Sequence, residues 1–537
     1  MSLAVTESPK QPELTQTLGD ITECNNEQLH LFSSVQAHGC FLGFTWPDQR
    51  VQCASENVSD FFLEKHPHVL GARLEHLLEK EVVAKIGSLL REFSGQRNQG
   101  RYISFSRGDV KMEAYLYESQ GLYCLEIEKK VATESNSSDG LDLEQMVGDY
   151  MRRAREAMTM AELGKLAAEA VRKVTGIDRV MIYKFLAPTW HGQVIAEDRV
   201  AKAHSFLGHR FPSSDIPRPA RDLYLRNSFR SIPNVRAEVS KITPSTNPLT
   251  RKTVDLSDSR LRAVSLIHLE YLRNMGVGAS FSLALNVKDQ LWGLIACHHL
   301  DEFHISRQRW VYCDMIANAF SSRASMLETI EENERRLEFD KRLRSFFISL
   351  RSSADPIGDF LRRHREVEEI FEVSGIALVT RDKIDFAGLT PASADLKEIA
   401  NWFRGEMLKA NKACLAFQDL KATGALWERI KPFACGAVAV QLPGADENLF
   451  MLFRPEIIRT ITWGGDPRKQ LERKGFQGRV NPRESFAAWE EVISDETKPW
   501  EKHILEGAHF LGELVFDVLA KPQKLIEELR VALKGNV

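Results

Sequence analysis

The sequence predicts an α+β protein of three domains with central antiparallel sheets, joined by long helices. Three observations carry this. Short strand-like runs separated by turns recur in three separate stretches of the chain. A polar linker, Thr133-Glu-Ser-Asn-Ser-Ser-Asp-Gly, follows the first of them. From Arg307 to about Arg351 there is no Pro or Gly and a dense Glu/Arg/Lys face. A helix that long is usually a connecting spine or a coiled-coil seam. The length agrees, since 537 residues at about 150 per domain give three or four domains.

The elements follow in chain order. Residues 1–19 are a polar tail. In the first domain, runs such as Gly39-Cys-Phe-Leu-Gly-Phe and Leu122-Tyr-Cys-Leu-Glu-Ile read as strands, and Leu74 to Phe93 has helical spacing. Leu141 to Val174 reads as one helix with apolar residues three to four apart. The strand Arg179-Val-Met-Ile-Tyr-Lys-Phe comes next, then a Pro- and Arg-bearing stretch from Ala187 to Leu261. Further strands begin at Ala279 and Leu291. A third α+β region runs from about Pro356 to Asp517. Within it, Trp463 to Ala487 is rich in Gly, Arg, Lys and Pro and has no periodicity. Structureless stretches of that length inside a domain are often functional. Residues 522–537 read as an amphipathic helix.

Composition narrows the function classes. The charges nearly cancel, 71 basic against 74 acidic, which argues against coating nucleic acid or an anionic membrane. No run approaches 18 apolar residues, and the N-terminus lacks the apolar core of a signal peptide. The eight cysteines show no C-x-x-C spacing, so a reducing cytoplasm is the expected compartment. The G-x-x-x-x-G-K-[ST], H-E-x-x-H and G-x-S-x-G signatures are missing, and no Cys/His cluster has metal spacing. His298 and His299 are strand neighbours that point to opposite faces, a poor chelate. As an enzyme the chain looks empty.

Five separated motifs stand out. They are Thr22-Glu-Cys-Asn, the loop Pro212-Ser-Ser-Asp-Ile-Pro, Ser265-x-x-His268 with Tyr271 and Asn274-Met-Gly, Trp292-Gly with Cys297-His-His, and Trp463-Gly-Gly-Asp-Pro with Pro482-Arg-Glu-Ser-Phe. Singly each has a bland reading. Cys24 is a spare thiol, Ser214 or Asp215 caps a helix at Pro219, and the histidines and aromatics are core. Together and in this order, they closely resemble the photosensory part of a bacterial phytochrome. The resemblance implies a PAS domain at 20–132, a GAF domain at 141–325 and a PHY domain at 326–521 with a tongue at about 459–495.

The resemblance further implies a red/far-red photoreceptor carrying biliverdin IXα, thioether-linked to Cys24. Ile267 and Leu269 flank His268, so the attachment cysteine of plant and cyanobacterial relatives is missing there. The pigment needs an apolar slot and cations for its two propionates. Arg230 and Arg262 match the propionate-binding arginines, and a guanidinium fork suits a carboxylate. Ser280 and Ser282 share a strand face and match hydroxyls on the second propionate. His268 matches the histidine beside the pyrrole nitrogens, and His298 the one bonding the ring D carbonyl. Ser265, Ile216 and Pro217 belong to the same pocket. Tyr183, Phe206, Phe211, Tyr224 and Tyr271 match the aromatic wall around ring D. Asp215 would join pigment to tongue, bonding Arg483 in one state and yielding to Ser485 in the other, with Trp463 at the tongue base. Phe486, Trp489 and Val492 also fit a helical stripe, as a refolding element requires.

There are departures. Ser213 stands where Ala is common, Ala37 replaces a usual Pro, and Leu266 replaces a Pro near His268. Expected partners are a second copy through the long helices and an output kinase or response regulator. No kinase is expected within these residues. Two other classes compete: a GAF-containing protein for a cyclic nucleotide or tetrapyrrole metabolism, and a dimerisation scaffold. The tongue motif has no task in the first, and the second would bind no pigment.

Overall fold

The computed structural model describes residues 28–62, 68–92, 100–130, 137–351, 356–442, 447–467 and 485–515. The described chain falls into two compact units, one within 15–327 and 462–489, the other within 328–461 and 490–537. It is mixed α and β, as expected.

In the first unit, strands β1 (Ser34–Gln36), β2 (Gly39–Phe44), β3 (Val51–Ser55), β4 (Arg101–Arg107), β5 (Val110–Ser119) and β6 (Leu122–Lys129) begin the chain. Next come β7 (Arg179–Leu186), β8 (His191–Arg199), β9 (Arg210–Phe211), β10 (Phe229–Ile232), β11 (Val239–Thr243), β12 (Ala279–Val287) and β13 (Gln290–His299). One sheet has the order β1-β11-β3-β2-β6-β5-β4, and in a second β10-β12-β13-β7-β8-β9 run side by side.

Strand β11 lies in the Pro- and Arg-bearing stretch from Ala187 to Leu261, where no strand was assigned, and it pairs with β1 (Ser34 opposite Lys241) and with β3 (Ile242 opposite Ser55). The first two expected domains therefore share a sheet. Alternation along β11 is short, and its partners lie about 190 to 210 residues upstream, so local pattern could not reveal it.

The helix expected over Leu141–Val174 is two helices, Ser137–Glu156 and Met160–Thr175. The break is an N-cap at Thr159, with the Glu162 side chain reaching one residue further back than in a capping box. Thr159 Oγ1 accepts from the Glu162 N–H at 3.2 Å, and Glu162 Oε2 accepts from the Met158 N–H at 3.0 Å. The Thr-x-x-Glu signal was present in the sequence. Both helices pack on the sheet with Val180, Ile182, Phe281 and Ile295. The helix Leu74–Phe93 becomes a 3-10 turn, Leu74–His76, and a helix Lys80–Glu92. The long helix runs Arg307–Arg351.

In the other unit, β14 (Gly375–Val379), β15 (Ile384–Gly388), β16 (Cys414–Phe417), β17 (Gly436–Gln441) and β18 (Leu449–Arg454) form an antiparallel sheet of order β15-β14-β18-β17-β16. Its central strands β14, β17 and β18 are buried almost throughout, so one face packs on Leu343, Phe371 and Leu505 and the other on Ile399, Phe403 and Trp427. Strands β19 (Arg459–Gly464) and β20 (Ala488–Ile493) lie within the stretch expected to be the tongue, towards its two ends. The expected helix at 522–537, the tail 1–19 and residues 468–484 of the expected tongue lie outside the described residues.

Candidate functional site

The loop between β9 and the next helix is shaped by its prolines, which fix φ near −65°. Pro212 and Pro217 are both extended (φ −67° and −64°), and they bracket a 3-10 turn, Ser213–Asp215. Pro219 then sits in the first turn of the helix Arg218–Arg226, where no N–H partner is needed. Arg221 locks the turn: its Nη1 donates to the Ile216 carbonyl at 2.6 Å and its guanidinium lies 5.0 Å from the Trp190 ring.

Above this turn lies a cavity of about 240 Å3 enclosed by β7, β10, β12, β13 and the helices Arg218–Arg226 and Leu266–Asn274. Its surface is mainly apolar. Tyr183, Phe211, Asp215, Ile216, Pro217, Tyr224, Arg230, Arg262, Ser265, His268, Tyr271, Ser280, Ser282 and His298 all line it. Phe206 sits one layer behind, edge-on to Phe211 at 5.7 Å. Cys24 and Arg483 lie outside the described residues. Leu29, near the start of the described chain, also reaches the cavity.

One wall is cationic. Arg230 Nη2 donates to the carbonyls of Arg262 (2.5 Å) and Ala263 (3.1 Å), which fixes the turn carrying Arg262. The Nη1 atoms of Arg230 and Arg262 are buried and have no hydrogen-bond partner among the described residues. Burial and the neighbouring Arg262 lower the Arg230 pKa to about 9, and burial lowers that of Arg262 as well. Two desolvated guanidiniums with spare donors are costly unless an anion completes them. Ser282 stands opposite Arg230 across the strand pair, with its Oγ 2.7 Å from Tyr224 Oη.

The opposite wall carries imidazoles. His268 and Tyr271 lie one turn apart on their helix and stack with ring centres 5.9 Å apart. Burial, then Arg230, lowers the His268 pKa to about 4. His298 lies on the cavity side of β13. Its neighbour His299 faces away, with Nδ1 3.2 Å from Asp178, as the alternation of a strand requires. Tyr271 Oη donates to Asp215 Oδ2 at 3.0 Å.

The tongue base meets this site. Trp463 pairs in parallel with Arg210 and packs edge-on to His191 at 5.2 Å. His191 Nδ1 in turn accepts from the Ser213 N–H at 3.1 Å. Phe486 meets Tyr271 edge-on at 4.9 Å. Ser485 is exposed, and its Oγ accepts from the Ala487 N–H at 3.3 Å.

Sequence reasoning missed His191 and Arg179. Arg179 precedes Tyr183 by four strand positions and so shares its face, a signal that was available. The closeness of His191 to Trp463 is purely tertiary. Among the described residues no group of three His, Cys, Asp or Glu side chains is suited to a metal, and no helix is long and apolar enough to cross a membrane.

Comparison with known proteins gives a consistent result. Residues 24–130 match the PAS fold family, 159–323 the GAF domain family and 341–524 the phytochrome region family. The chain is 29% identical over 522 residues to cyanobacterial phytochrome B of Nostoc, covering 96% of this chain and 68% of that protein. It is 28% identical to a bacteriophytochrome of Pseudomonas aeruginosa, covering 96% and 69%. The chain thus spans about two thirds of the length of the curated relatives it matches. The crystal structure of a bacteriophytochrome from R. palustris is similar with TM-score 0.80 and 31% identity over 93% of this chain and 99% of that one. The photosensory core module of Stigmatella aurantiaca phytochrome is similar with TM-score 0.77 and 28% identity, covering 93% and 98%.

Proposed function

Because the chain belongs to the phytochrome family and has the PAS–GAF–PHY order of its photosensory core, we propose that it is a red/far-red photoreceptor holding biliverdin IXα in the cavity of its second sheet. The observation that carries this reading is the pair of buried guanidiniums, Arg230 and Arg262, each with a spare Nη1 beside an apolar cavity. Two such donors fit a long apolar molecule bearing two carboxylates, and they have no task in a pocket for a neutral ligand.

The residues divide the work. Arg230 and Arg262 take the propionates, with Ser280, Ser282 and the Tyr224 hydroxyl completing the second. His268, neutral at pH 7, accepts or relays a proton beside the pyrrole nitrogens. Tyr183 and Phe211, backed by Phe206, exclude water from the ring D end and leave it room to turn. The chemistry that bound biliverdin supplies is a light-driven double-bond isomerisation at that ring. Asp215, held by Tyr271, joins the pocket to the tongue. Attachment is through the Cys24 thiol. The exposed apolar residues Met326, Ile330 and Leu337, spaced four and seven apart on the long helix, support a helical homodimer spine. In the full system this module would drive an output kinase or response regulator in the cytoplasm.

The test is an absorption spectrum of the purified chain with biliverdin, before and after red light. A red band that converts reversibly to far-red, with pigment surviving denaturation in the wild type but not in Cys24→Ser, is the expected outcome. Absence of uptake refutes the reading and returns the chain to the scaffold or small-ligand class.

A further inference from the structure

His298 and Arg179 are direct cross-strand partners on β13 and β7. Such pairs bring side chains within reach on one sheet face. Here Arg179 Nη2 lies 2.8 Å from His298 Nδ1. Both residues are buried, at 2% and 8% exposure. The Arg179 guanidinium is itself held in place: Nη1 donates to the His204 carbonyl at 2.8 Å, and the plane lies 4.5 Å from the Phe206 ring.

A guanidinium has only donors. A hydrogen bond between it and an imidazole nitrogen therefore requires that nitrogen to be the bare one. We propose that Arg179 is a positioning residue that fixes His298 as the Nε2–H tautomer and keeps it neutral, so that the ring presents a donor, never an acceptor, to whatever occupies the cavity. A second proton would have to go on Nδ1, where it would face the guanidinium at hydrogen-bonding distance. The inference deepens the photoreceptor reading and rests on it only for the identity of the acceptor, a carbonyl of the pigment.

The other groups around the pair do not undo this. Burial, then Arg179, then His268 on the helix Leu266–Asn274 hold the His298 pKa well below the usual imidazole range. Arg179 is faced by Glu197 and Arg199 on β8, by Tyr271, and by its neighbour Asp178. The Glu197 carboxylate already accepts from Ser205 Oγ (2.6 Å) and the Phe206 N–H (3.0 Å). His268, its own pKa lowered to about 4 by burial and then Arg230, is likewise neutral near pH 7 and leaves His298 without a cationic imidazole beside it.

The experiment is nitrogen NMR of the full chain with 15N-labelled histidine imidazoles, before pigment is added, with His298 assigned by difference from His298→Gln. The expected spectrum has a bare Nδ1 and a protonated Nε2 from pH 6 to 9. A proton on Nδ1, or a His298 titration in that window, overturns the proposal. Arg179→Met is expected to populate the second tautomer and bring a titration into the window; an unchanged spectrum overturns it. Arg179→Lys, still a pure donor, is expected to preserve the wild-type tautomer, and loss of it would count against the proposal. Should Arg179→Met fail to fold, the wild type and the lysine variant decide. With biliverdin added, only the methionine variant is expected to show a band position that shifts with pH between 6 and 9. A chain that takes up no biliverdin yet keeps the bare Nδ1 refutes the photoreceptor reading and supports the dyad.

Discussion

Gly464→Ala isolates the contact between tongue and pocket. A Cβ on Gly464 would lie 2.5 Å from Phe211 Cε1 and 2.7 Å from Cζ, distances that force one partner to move. Phe211 cannot retreat easily. It is 4% exposed and wedged between Tyr183 at 6.0 Å and Phe206 at 5.7 Å. The strain should instead loosen the last residues of β19 from β9. Overpacking of this kind costs about 1–3 kcal/mol, so local opening should become about 5- to 150-fold more frequent. Amide hydrogen exchange reads this directly. Peptides covering residues 462–467, including Gly465, whose N–H donates to the Ala487 carbonyl at 3.0 Å, should exchange faster by that factor. Peptides of the β14–β18 sheet should not change. Phe211→Leu, which removes the opposing ring, should restore most of the protection in the double variant, since the two sites are in contact. Exchange in Gly464→Ala within twofold of wild type would refute the steric argument. So would equal acceleration in the β14–β18 sheet.

Other expectations follow from the same geometry. In a Cys24→Ser background, where binding is read at equilibrium, Arg230→Met and Arg262→Met should each weaken biliverdin affinity by about 2 kcal/mol, roughly 30-fold, measured by absorbance titration. The His268 pKa is lowered to about 4 from 6.5, so the unfolded chain binds more protons and stability rises with pH. The contribution is full above pH 6.5 and is lost as pH falls through 4. At ~1.4 kcal/mol per pKa unit, discounted for the partial exposure of the ring, it amounts to about 2–3 kcal/mol. Urea midpoints of wild type and His268→Gln between pH 4 and 7 should converge towards acid, and a parallel offset would contradict the sign. In the other unit, Arg454 is 3% exposed, lies 3.9 Å from the Trp500 ring and donates to the carbonyls of Phe371, Glu372, Lys498 and Pro499. Arg454→Met leaves four carbonyls to find new partners and should cost about 3–5 kcal/mol, read as a lowered unfolding temperature of that unit alone.

By itself the sequence determined the local elements and the cast of the site. Strand runs bounded by turns, the helix 307–351 without Pro or Gly, and the two prolines around Ser213–Asp215 each act through near-neighbour sterics, so they were legible one segment at a time. The arginines, serines and histidines of the pocket were legible because motif order tied them together. The break at Thr159 is also local, since its N-cap signal, Thr-x-x-Glu, lies in four consecutive residues. Tertiary structure alone decided the rest. Strand β11 joins the first sheet through partners far upstream, and nothing in five residues encodes which edge they will cover. Arg179 meets His298 because β7 and β13 pair in one register, and a slip of one residue would send it to the other face. His191 meets Trp463 edge-on because β19 pairs in parallel with β9, which brings together residues more than 250 apart in the chain. Sequence names the side chains because their chemistry is intrinsic. Which donor meets which acceptor depends on register and packing, and these are properties of the whole fold.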